Sequence, residues 1–133
     1  MLVFRLIELP ITPSFVSGTR AFAGEYALYS RQEAIEHFLA TASASPLPLI
    51  YLSAGISDEV FCEMLELTAE AGARFSGVLC DRATWQEGIA IYGKHGDEAL
   101  RNWLATRGAQ NMQAVNAILA RAATPWWDVP RAV

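Results

Sequence analysis

Lysine is almost absent from this chain of 133 residues, in which Lys94 is the single example. The ten lysines and arginines are outnumbered by 14 acidic residues, so the net charge is −4, and the basic residues form no run. Proteins that bind nucleic acid normally carry a basic patch that neutralises phosphates. The composition therefore predicts that nucleic acid is not a partner.

Cysteine and histidine are also scarce. Two cysteines, Cys62 and Cys80, cannot build a disulfide framework, and their number favours a reducing, cytoplasmic setting. His37 and His95 have no potential ligands beside them at the spacing of a metal site. We therefore expect no metal and no cofactor, and we expect His37 on the surface of a helix and His95 in a loop.

Long apolar runs are missing as well, although the chain is 53% hydrophobic with a mean hydropathy of +0.21. The longest stretches, such as Leu47–Leu52, are far too short to cross a bilayer. The first residues lack the basic and cleavage-like features of a signal peptide, so none is expected. This composition predicts one folded domain over residues 1–133 with a substantial core and no membrane partner.

Three apolar segments alternate with amphipathic ones along the chain. Strands are predicted at Val3–Leu9, Leu49–Leu52 and Phe75–Cys80. Helices are predicted from Ser30 to about Ala42, from Ser57 to Gly72, and over Arg82–Tyr92, Asp97–Thr106 and Gln110–Ala122. This order indicates an α/β fold of parallel strands joined by helical crossovers. Three strands are few for such a fold, and they leave sheet edges uncovered.

Two strand-to-helix junctions carry the clearest functional signal. Ser53-Ala54-Gly55 follows the second predicted strand, and Asp81-Arg82 follows the third. Helix N-termini bind anions through free N–H groups and the helix dipole, so the pair predicts two neighbouring phosphate-binding junctions. A purely structural interpretation stays open for each junction. The first could be only a turn that leads to the Ser57 cap, and Arg82 could be neutralised by Asp81 or Glu8.

The motifs around these junctions resemble one known family. The segments are Leu49-Ile50-Tyr51-Leu52-Ser53-Ala54-Gly55, Glu70-Ala71-Gly72-Ala73, Gly77–Trp85, Glu98–Leu104, Thr124-Pro125-Trp126 and, upstream, Ile7–Ile11. Together they are similar to tagatose-1,6-bisphosphate aldolases, to which sulfofructose-phosphate aldolases are related. The resemblance covers essentially the whole chain but corresponds only to the last three strands of an eight-stranded barrel.

The resemblance implies a class I aldolase mechanism, in which a lysine forms a Schiff base with a ketose carbonyl. That lysine lies two residues before the glutamate that matches Glu8, so its position is occupied by Leu6. Arg5 is adjacent but would point to the opposite face of the strand, and a guanidinium forms no useful imine. Lys94 lies in a polar segment predicted as a loop, which would not desolvate its amine. No residue is therefore predicted to be catalytic.

The resemblance also implies that Ser53, Ala54 and Gly55 form a turn that faces a phosphate and that Arg82 pairs with it. Glu8 and Asp81 would be supporting residues. Asp81 departs from the family, which usually has glycine there, and its carboxylate would repel a phosphate or pair with Arg82. Cys80 ends the strand beside Arg82, whose charge would lower the thiol pKa.

The sequence thus predicts a partial (β/α) TIM barrel of about three parallel strands followed by C-terminal helices. We expect a protein similar to tagatose-1,6-bisphosphate aldolases that is inactive alone and binds a phosphorylated ketose. Its open side should be covered in a homo-oligomer or by a complementary barrel chain, because three strands cannot close a barrel and would leave inward apolar residues exposed. Those residues are Val3, Leu6, Ile50, Leu52 and Val78. A regulatory binding module, a purely structural oligomer and a degenerate gene product remain alternatives.

Overall fold

A computed structural model describes residues 4–129. Three short strands and four helices account for most of this range. The strands are β1 (Arg5–Ile7), β2 (Leu49–Leu52) and β3 (Gly77–Leu79), and the helices are α1 (Arg31–Ser43), α2 (Asp58–Glu70), α3 (Glu87–Trp103) and α4 (Ala109–Ala122). No helix within the described range is long and apolar enough to cross a bilayer.

The strands form one parallel sheet in the order β1-β2-β3. Ile7 is paired with Tyr51, and Tyr51 with Val78, so these three residues lie in one row across the sheet. The predicted α/β architecture with three parallel strands is confirmed. The first and third strands are shorter than predicted, and Val3, the first residue of the predicted first strand, lies outside the described residues.

The core lies on one face of this sheet. Leu49 and Tyr51 of β2 are buried there against Phe38 of α1 and several residues of α2. The Tyr51 ring makes edge-to-face contacts with Phe38 and Phe75, whose centroids are 6.4 and 5.6 Å away. Burial raises the pKa of the Tyr51 hydroxyl to about 12, so it stays protonated. The α2 residues Phe61, Met64, Leu65 and Leu67 are fully buried.

The opposite face of the sheet is open in the described part of the chain. The register places Leu6, Ile50 and Gly77 in one row of this face and Leu52 and Leu79 in the next. Leu6 and Leu79 are 47% and 48% exposed, although both are large and apolar.

Val78 was predicted to share this open face, and that prediction is wrong. Its side chain packs against the core cluster, because it is in register with the buried Tyr51. Side chains alternate between the two faces of a strand, so a shift of one residue exchanges core and open positions.

The first two helices begin and end as the sequence predicts. The Ser30 hydroxyl accepts from the Glu33 amide and the Glu33 carboxylate accepts from the Ser30 amide, which is the predicted capping box. The Ser57 hydroxyl caps α2 by accepting from the Val60 amide. Gly72 follows α2 with φ of 65°, the left-handed conformation that ends many helices.

The helix predicted over Arg82–Tyr92 is wrong at its start. Asp81–Thr84 form a short 3-10 turn, and α3 begins only at Glu87. The 3-10 turn is held by a contact from a distant helix, because the Asn111 side chain of α4 donates to the Thr84 carbonyl at 3.0 Å. Trp85 follows with φ of −131°, which interrupts the helical path.

The remaining helices are joined more closely than predicted. Gly96, with φ of 79°, breaks α3 into two arms, and the side chains of Leu100 and Trp103 pack against Gly88. A Cβ at Gly88 would lie only 3.0 Å from each of these side chains, so a larger residue there would require Leu100 and Trp103 to shift. The second arm continues through a π-helical turn, Leu104–Gly108, into α4.

The long connection between β1 and α1 is fixed to α2 by one carboxylate. Glu63 accepts hydrogen bonds from the backbone amides of Arg20 and Ala21, at 2.5 and 2.8 Å. Ile11 and Val16 of this connection also pack with Ala34 of α1 in a small second hydrophobic cluster. Glu63 is 6% exposed and is thus stabilised by two donors where it is buried.

Candidate anion-binding site at the ends of β2 and β3

The chain leaves β2 through a tight turn in the left-handed region. Ala54 and Gly55 have φ values of 50° and 77°, and the Ile56 amide closes the turn by donating to the Ser53 carbonyl at 3.1 Å. Among the described residues, neither the Ala54 nor the Gly55 amide donates a hydrogen bond to another residue. Successive free amides in such a turn can form an anion-binding concavity.

Arg82 reaches this turn from the next junction. A Cβ added at Gly55 would lie 3.0 Å from Nη2 of Arg82, so the guanidinium lies directly against the glycine. Any larger residue at position 55 would displace the arginine, and the positive φ would add strain. The structure therefore brings together two segments that the sequence separates by 27 residues, and it places a cation beside free amide donors.

Asp81 lies on the other side of the guanidinium. Its Oδ2 is 3.8 Å from Nε of Arg82, and both side chains are more than half exposed. Asp81 has a φ of 23°, a backbone conformation that residues other than glycine rarely adopt. The exposed pair is weak because water screens it, so the guanidinium remains available to a ligand.

Ser53 lies beneath the turn. Its amide donates to the Leu79 carbonyl at 3.2 Å, and it is fully buried. The Ser53 hydroxyl has no hydrogen-bond partner among the described residues. Buried hydroxyls are normally paired with protein, water or a ligand, which makes this one a notable feature of the junction.

The predicted helix dipoles contribute less than expected at both junctions. At the first, Asp58 and Glu59 occupy the first turn of α2 and already complement its positive end. At the second, α3 begins five residues after Arg82, so no α-helix N-terminus lies at this side chain. The turn amides and the guanidinium are therefore the main anion-attracting groups here.

Leu6 and Glu8 lie at the end of β1. Leu6 projects from the open face of the sheet, in register with Ile50. Glu8 is exposed and forms no ion pair with Arg5 or Arg82 in the described part of the chain. Neutralisation of Arg82 by Glu8, one of the open alternatives, is not observed, and Asp81 is the carboxylate that pairs with Arg82.

The pKa of the Cys80 thiol is shifted in the direction opposite to the one expected. Burial raises its pKa, so the predicted lowering by Arg82 is wrong. Burial also raises the pKa of the Cys62 thiol to about 12. Both thiols are therefore protonated at neutral pH, and neither has the character of a nucleophile.

Lys94 was predicted to lie in a loop, but the structure places it in the first arm of α3, two residues before the break at Gly96. Lys94 is exposed, so its amine is not desolvated. His37 is exposed on α1 as predicted, whereas His95, which was predicted to lie in a loop, is exposed in the first arm of α3. Within residues 4–129 no group of three or more potential ligands could hold a metal ion.

The contacts by which two residues support the junctions were not predicted, although Asn111 is among the residues that carry the family resemblance. The Gln86 side chain donates to the Ile56 carbonyl at 3.4 Å, which ties the second junction to the first turn. Asn111 fixes the 3-10 turn from α4. Both contacts join residues 27 or more positions apart, so no local sequence signal could have identified them.

The sequence of this chain also matches a known protein family. A model of the DeoC/LacD family aldolases matches residues 13–87, more than half of the chain and the whole of β2, α2 and β3. The chain belongs to the DeoC/LacD aldolase family. The family assignment agrees with the resemblance that the sequence motifs indicated.

Curated members of this family extend the match over most of the chain. Tagatose 1,6-diphosphate aldolase of Listeria monocytogenes serotype 4a (strain HCC23) is 43% identical over 121 residues, which is 91% of this chain and 35% of that protein. The enzymes of the same name from Lactococcus lactis subsp. lactis and Staphylococcus aureus (strain JH9) are also 43% identical, over 122 and 120 residues. The chain spans 35–36% of the length of these relatives.

Proposed function

We propose that residues 1–133 form one domain that corresponds to the last three βα units of a (β/α)8 barrel and binds the phosphate of a phosphorylated ketose. The relatives named above are tagatose 1,6-diphosphate aldolases, which supports a sugar phosphate as ligand. Ala54 and Gly55 offer their amides, Arg82 offers its guanidinium and Ser53 shapes the turn from below. Glu8 and Asp81 are the supporting carboxylates in this proposal.

The contact between Arg82 and Gly55 is the observation that carries the proposal. A phosphate seated there would accept hydrogen bonds from two backbone amides and from a guanidinium, a combination that binds anions strongly. Asp81 opposes this binding by Coulomb repulsion and by its own pairing with Arg82. We expect moderate affinity as a result.

We do not propose that this chain catalyses aldol cleavage by itself. We infer from the resemblance that Leu6 occupies the position at which class I aldolases have their Schiff-base lysine, and a leucine has no amine to condense with a ketone. Lys94, the single lysine, is exposed on α3. We therefore propose binding of the sugar phosphate without covalent chemistry.

The open face of the sheet supports a protein partner as part of this proposal. Leu6 and Leu79 are about half exposed, and β1 and β3 each have only one neighbouring strand in the described structure. Exposed apolar residues beside free strand edges are typical of surfaces that are covered in an assembly. A second copy of this chain or a complementary barrel chain would cover them.

Titration calorimetry with a ketose bisphosphate tests the binding proposal directly. The wild-type chain should bind, and Arg82→Ala should weaken binding about tenfold or more, because it removes a charge-assisted contact. Asp81→Asn should strengthen binding, since it removes the competing carboxylate. Arg101→Ala is the matched control, because Arg101 is an exposed arginine that pairs only with Asp97 in the described structure.

Absence of binding in the wild type and in Asp81→Asn would refute the proposal. Equal losses in Arg82→Ala and Arg101→Ala would also refute it, because they would show a general effect of charge. The unphosphorylated ketose serves as a second control, and it should bind neither to the wild type nor to any of the three variants.

A further inference from the structure

A cavity lies between α2 and α4, and neither Gly55 nor Arg82 is among its lining residues. Its volume is about 630 Å³, within the range of small-molecule sites. Asp58 and Arg107 line one end, and Arg20, Glu66 and Arg121 line the other. Small and apolar residues of α4, among them Ala114 and Ala117, form part of its wall.

Most charged groups of this cavity are already paired. Glu63 accepts from the amides of Arg20 and Ala21, as described above. Glu66 lies between two arginines, with Nη2 of Arg20 at 2.9 Å and Nη2 of Arg121 at 3.8 Å. The Glu66 end of the cavity is thus satisfied within the protein.

Asp58 is the exception among these carboxylates. It is 8% exposed, and its Oδ1 has no hydrogen-bond partner among the described residues. The only contact of its Oδ2 there is with the Cys62 thiol, at 3.9 Å, and a thiol is a weak donor. A buried carboxylate normally accepts several hydrogen bonds, so this one is short of donors.

Arg107 is the nearby cation that is least engaged. Its Nη2 lies 3.5 Å from Oε1 of Glu59, a long contact to a side chain that is 83% exposed. The remaining donors of its guanidinium form no hydrogen bond with the described residues. Arg107 is close enough to Asp58 to favour the charged carboxylate. At this end of the cavity, the Asp58 carboxylate therefore lacks a strong hydrogen-bond donor among the described residues, and the neighbouring Arg107 guanidinium lacks acceptors there for most of its N–H groups.

We propose that this end of the α2–α4 cavity binds a small zwitterion of the α-amino acid type, whose ammonium group donates to Asp58 and whose carboxylate accepts from Arg107. The two charges of such a ligand are complementary to the two side chains. The net charge of the lining side chains at this end, one arginine against Asp58 and Glu59, favours an ammonium over a neutral hydroxyl donor. Ala114 and Val60, which also line the cavity, suit a small aliphatic side chain.

Amide NMR spectra of the whole chain, recorded while L-alanine is added, test this assignment. Shifts are expected around Asp58 and Arg107, and Asp58→Asn and Arg107→Gln should each weaken binding about tenfold or more. Trimethylglycine is the matched probe, because it keeps both charges but has no N–H to donate, and it should bind at least tenfold more weakly. Arg101→Ala is the control variant and should bind as the wild type does.

The proposal is overturned if L-alanine and L-serine cause no saturable shifts in the wild type. It is also overturned if trimethylglycine binds as tightly as alanine, or if Asp58→Asn binds as the wild type does. Thermal unfolding of each variant shows whether it is folded. Should Asp58→Asn fail to fold, Arg107→Gln and the trimethylglycine comparison still decide the outcome. Arg82→Ala should leave alanine binding unchanged, which separates this site from the sugar-phosphate site.

Discussion

In the proposed correspondence with the family, Leu6 occupies the position of the Schiff-base lysine. Its side chain projects from the open sheet face and is 47% exposed, so a lysine at this position would have room for its longer side chain. The physical barrier to Schiff-base formation is then the missing amine rather than the surrounding structure. The half-exposed position would leave a lysine pKa close to its ordinary value, which slows imine formation at neutral pH.

We predict that borohydride reduction of the wild-type chain with a ketose bisphosphate yields no covalent adduct. Leu6→Lys is expected to gain a slowly formed adduct, which intact-mass and peptide mass spectrometry would place at residue 6. An adduct at Lys94 in the wild type would contradict the prediction. If the Leu6→Lys variant binds the sugar phosphate but forms no adduct, this result would contradict the alignment of Leu6 with the family's lysine.

Asp58 makes stability depend on pH. Burial raises the pKa of Asp58 above the usual value for an aspartate, the charge of Arg107 opposes this shift, and the charges of Glu87 and Glu59 add to it. A carboxyl group whose pKa is higher in the folded state contributes stability that is fully present below the pKa of the unfolded chain. That contribution is lost as the pH rises through the pKa of the folded state.

Asp58→Asn should therefore be more stable than the wild type at pH 7, and this difference should shrink as the pH falls towards about 4. Urea unfolding midpoints at several pH values would measure it. Asp97→Asn, at an exposed aspartate of α3, is the control variant. A difference in the Asp58 variant that is constant with pH would show that the effect is not ionisation.

Part of the candidate site is readable at the residue scale. Ser53, Gly55 and Arg82 stand out because glycine, a small hydroxyl and an arginine follow apolar strands. The contact of Arg82 with Gly55 and the support from Gln86 are different, because they join separate junctions. Such contacts depend on how β2 and β3 lie side by side, which no single segment contains.

At the scale of elements, α1 shows how much a local signal decides. The Ser30–Glu33 capping box holds three hydrogen bonds, with lengths of 2.7, 2.8 and 3.2 Å. All of its members lie within four residues, so the sequence alone specifies the start of the helix. The Ser30 hydrogen bonds also lower the pKa of Glu33, an effect that favours the folded state above acidic pH.

Ser30→Ala should reduce the free energy of unfolding by about 1 kcal/mol, because it leaves the Glu33 amide without its acceptor. Urea denaturation would measure the change. Ser43→Ala, at the exposed end of the same helix, should change stability by less than about 0.5 kcal/mol. Equal effects of the two substitutions would contradict a specific role for the cap.

The start of α3 shows the opposite case. Arg82–Tyr92 has a helical apolar pattern, yet Asp81–Thr84 form a 3-10 turn and the helix begins at Glu87. Asn111 of α4 binds the Thr84 carbonyl, and Ala83 and Thr84 are buried. Tertiary packing therefore overrides the local preference, as it does for many element boundaries.

At the scale of the whole molecule, the sheet has one face that is covered and one that is open within residues 4–129. The covered face holds the core on Leu49 and Tyr51, whereas Leu6, Ile50, Leu52 and Leu79 lie on the other. A face of this kind, flanked by two free edges, favours association.

We predict that light scattering finds the chain larger than a monomer, and that Leu79→Gln shifts it towards the monomer by removing an apolar contact. Leu39→Gln on α1 is the matched control, because Leu39 is 45% exposed but lies on a helix. A compact, monodisperse wild-type monomer would contradict the prediction. An equal shift in both variants would place the interface elsewhere.

The sequence by itself determined the order of the elements, the caps of α1 and α2, the end of α2 at Gly72 and the family. The first three features depend on residues that are close together in the chain, and the family depends on short sequence motifs. Only the tertiary structure decided that Val78 faces the core, that the helix after β3 starts late and that Arg82 lies against Gly55. The physical reason is that register, burial and contacts between junctions arise when distant segments pack, and local propensity carries no information about that packing.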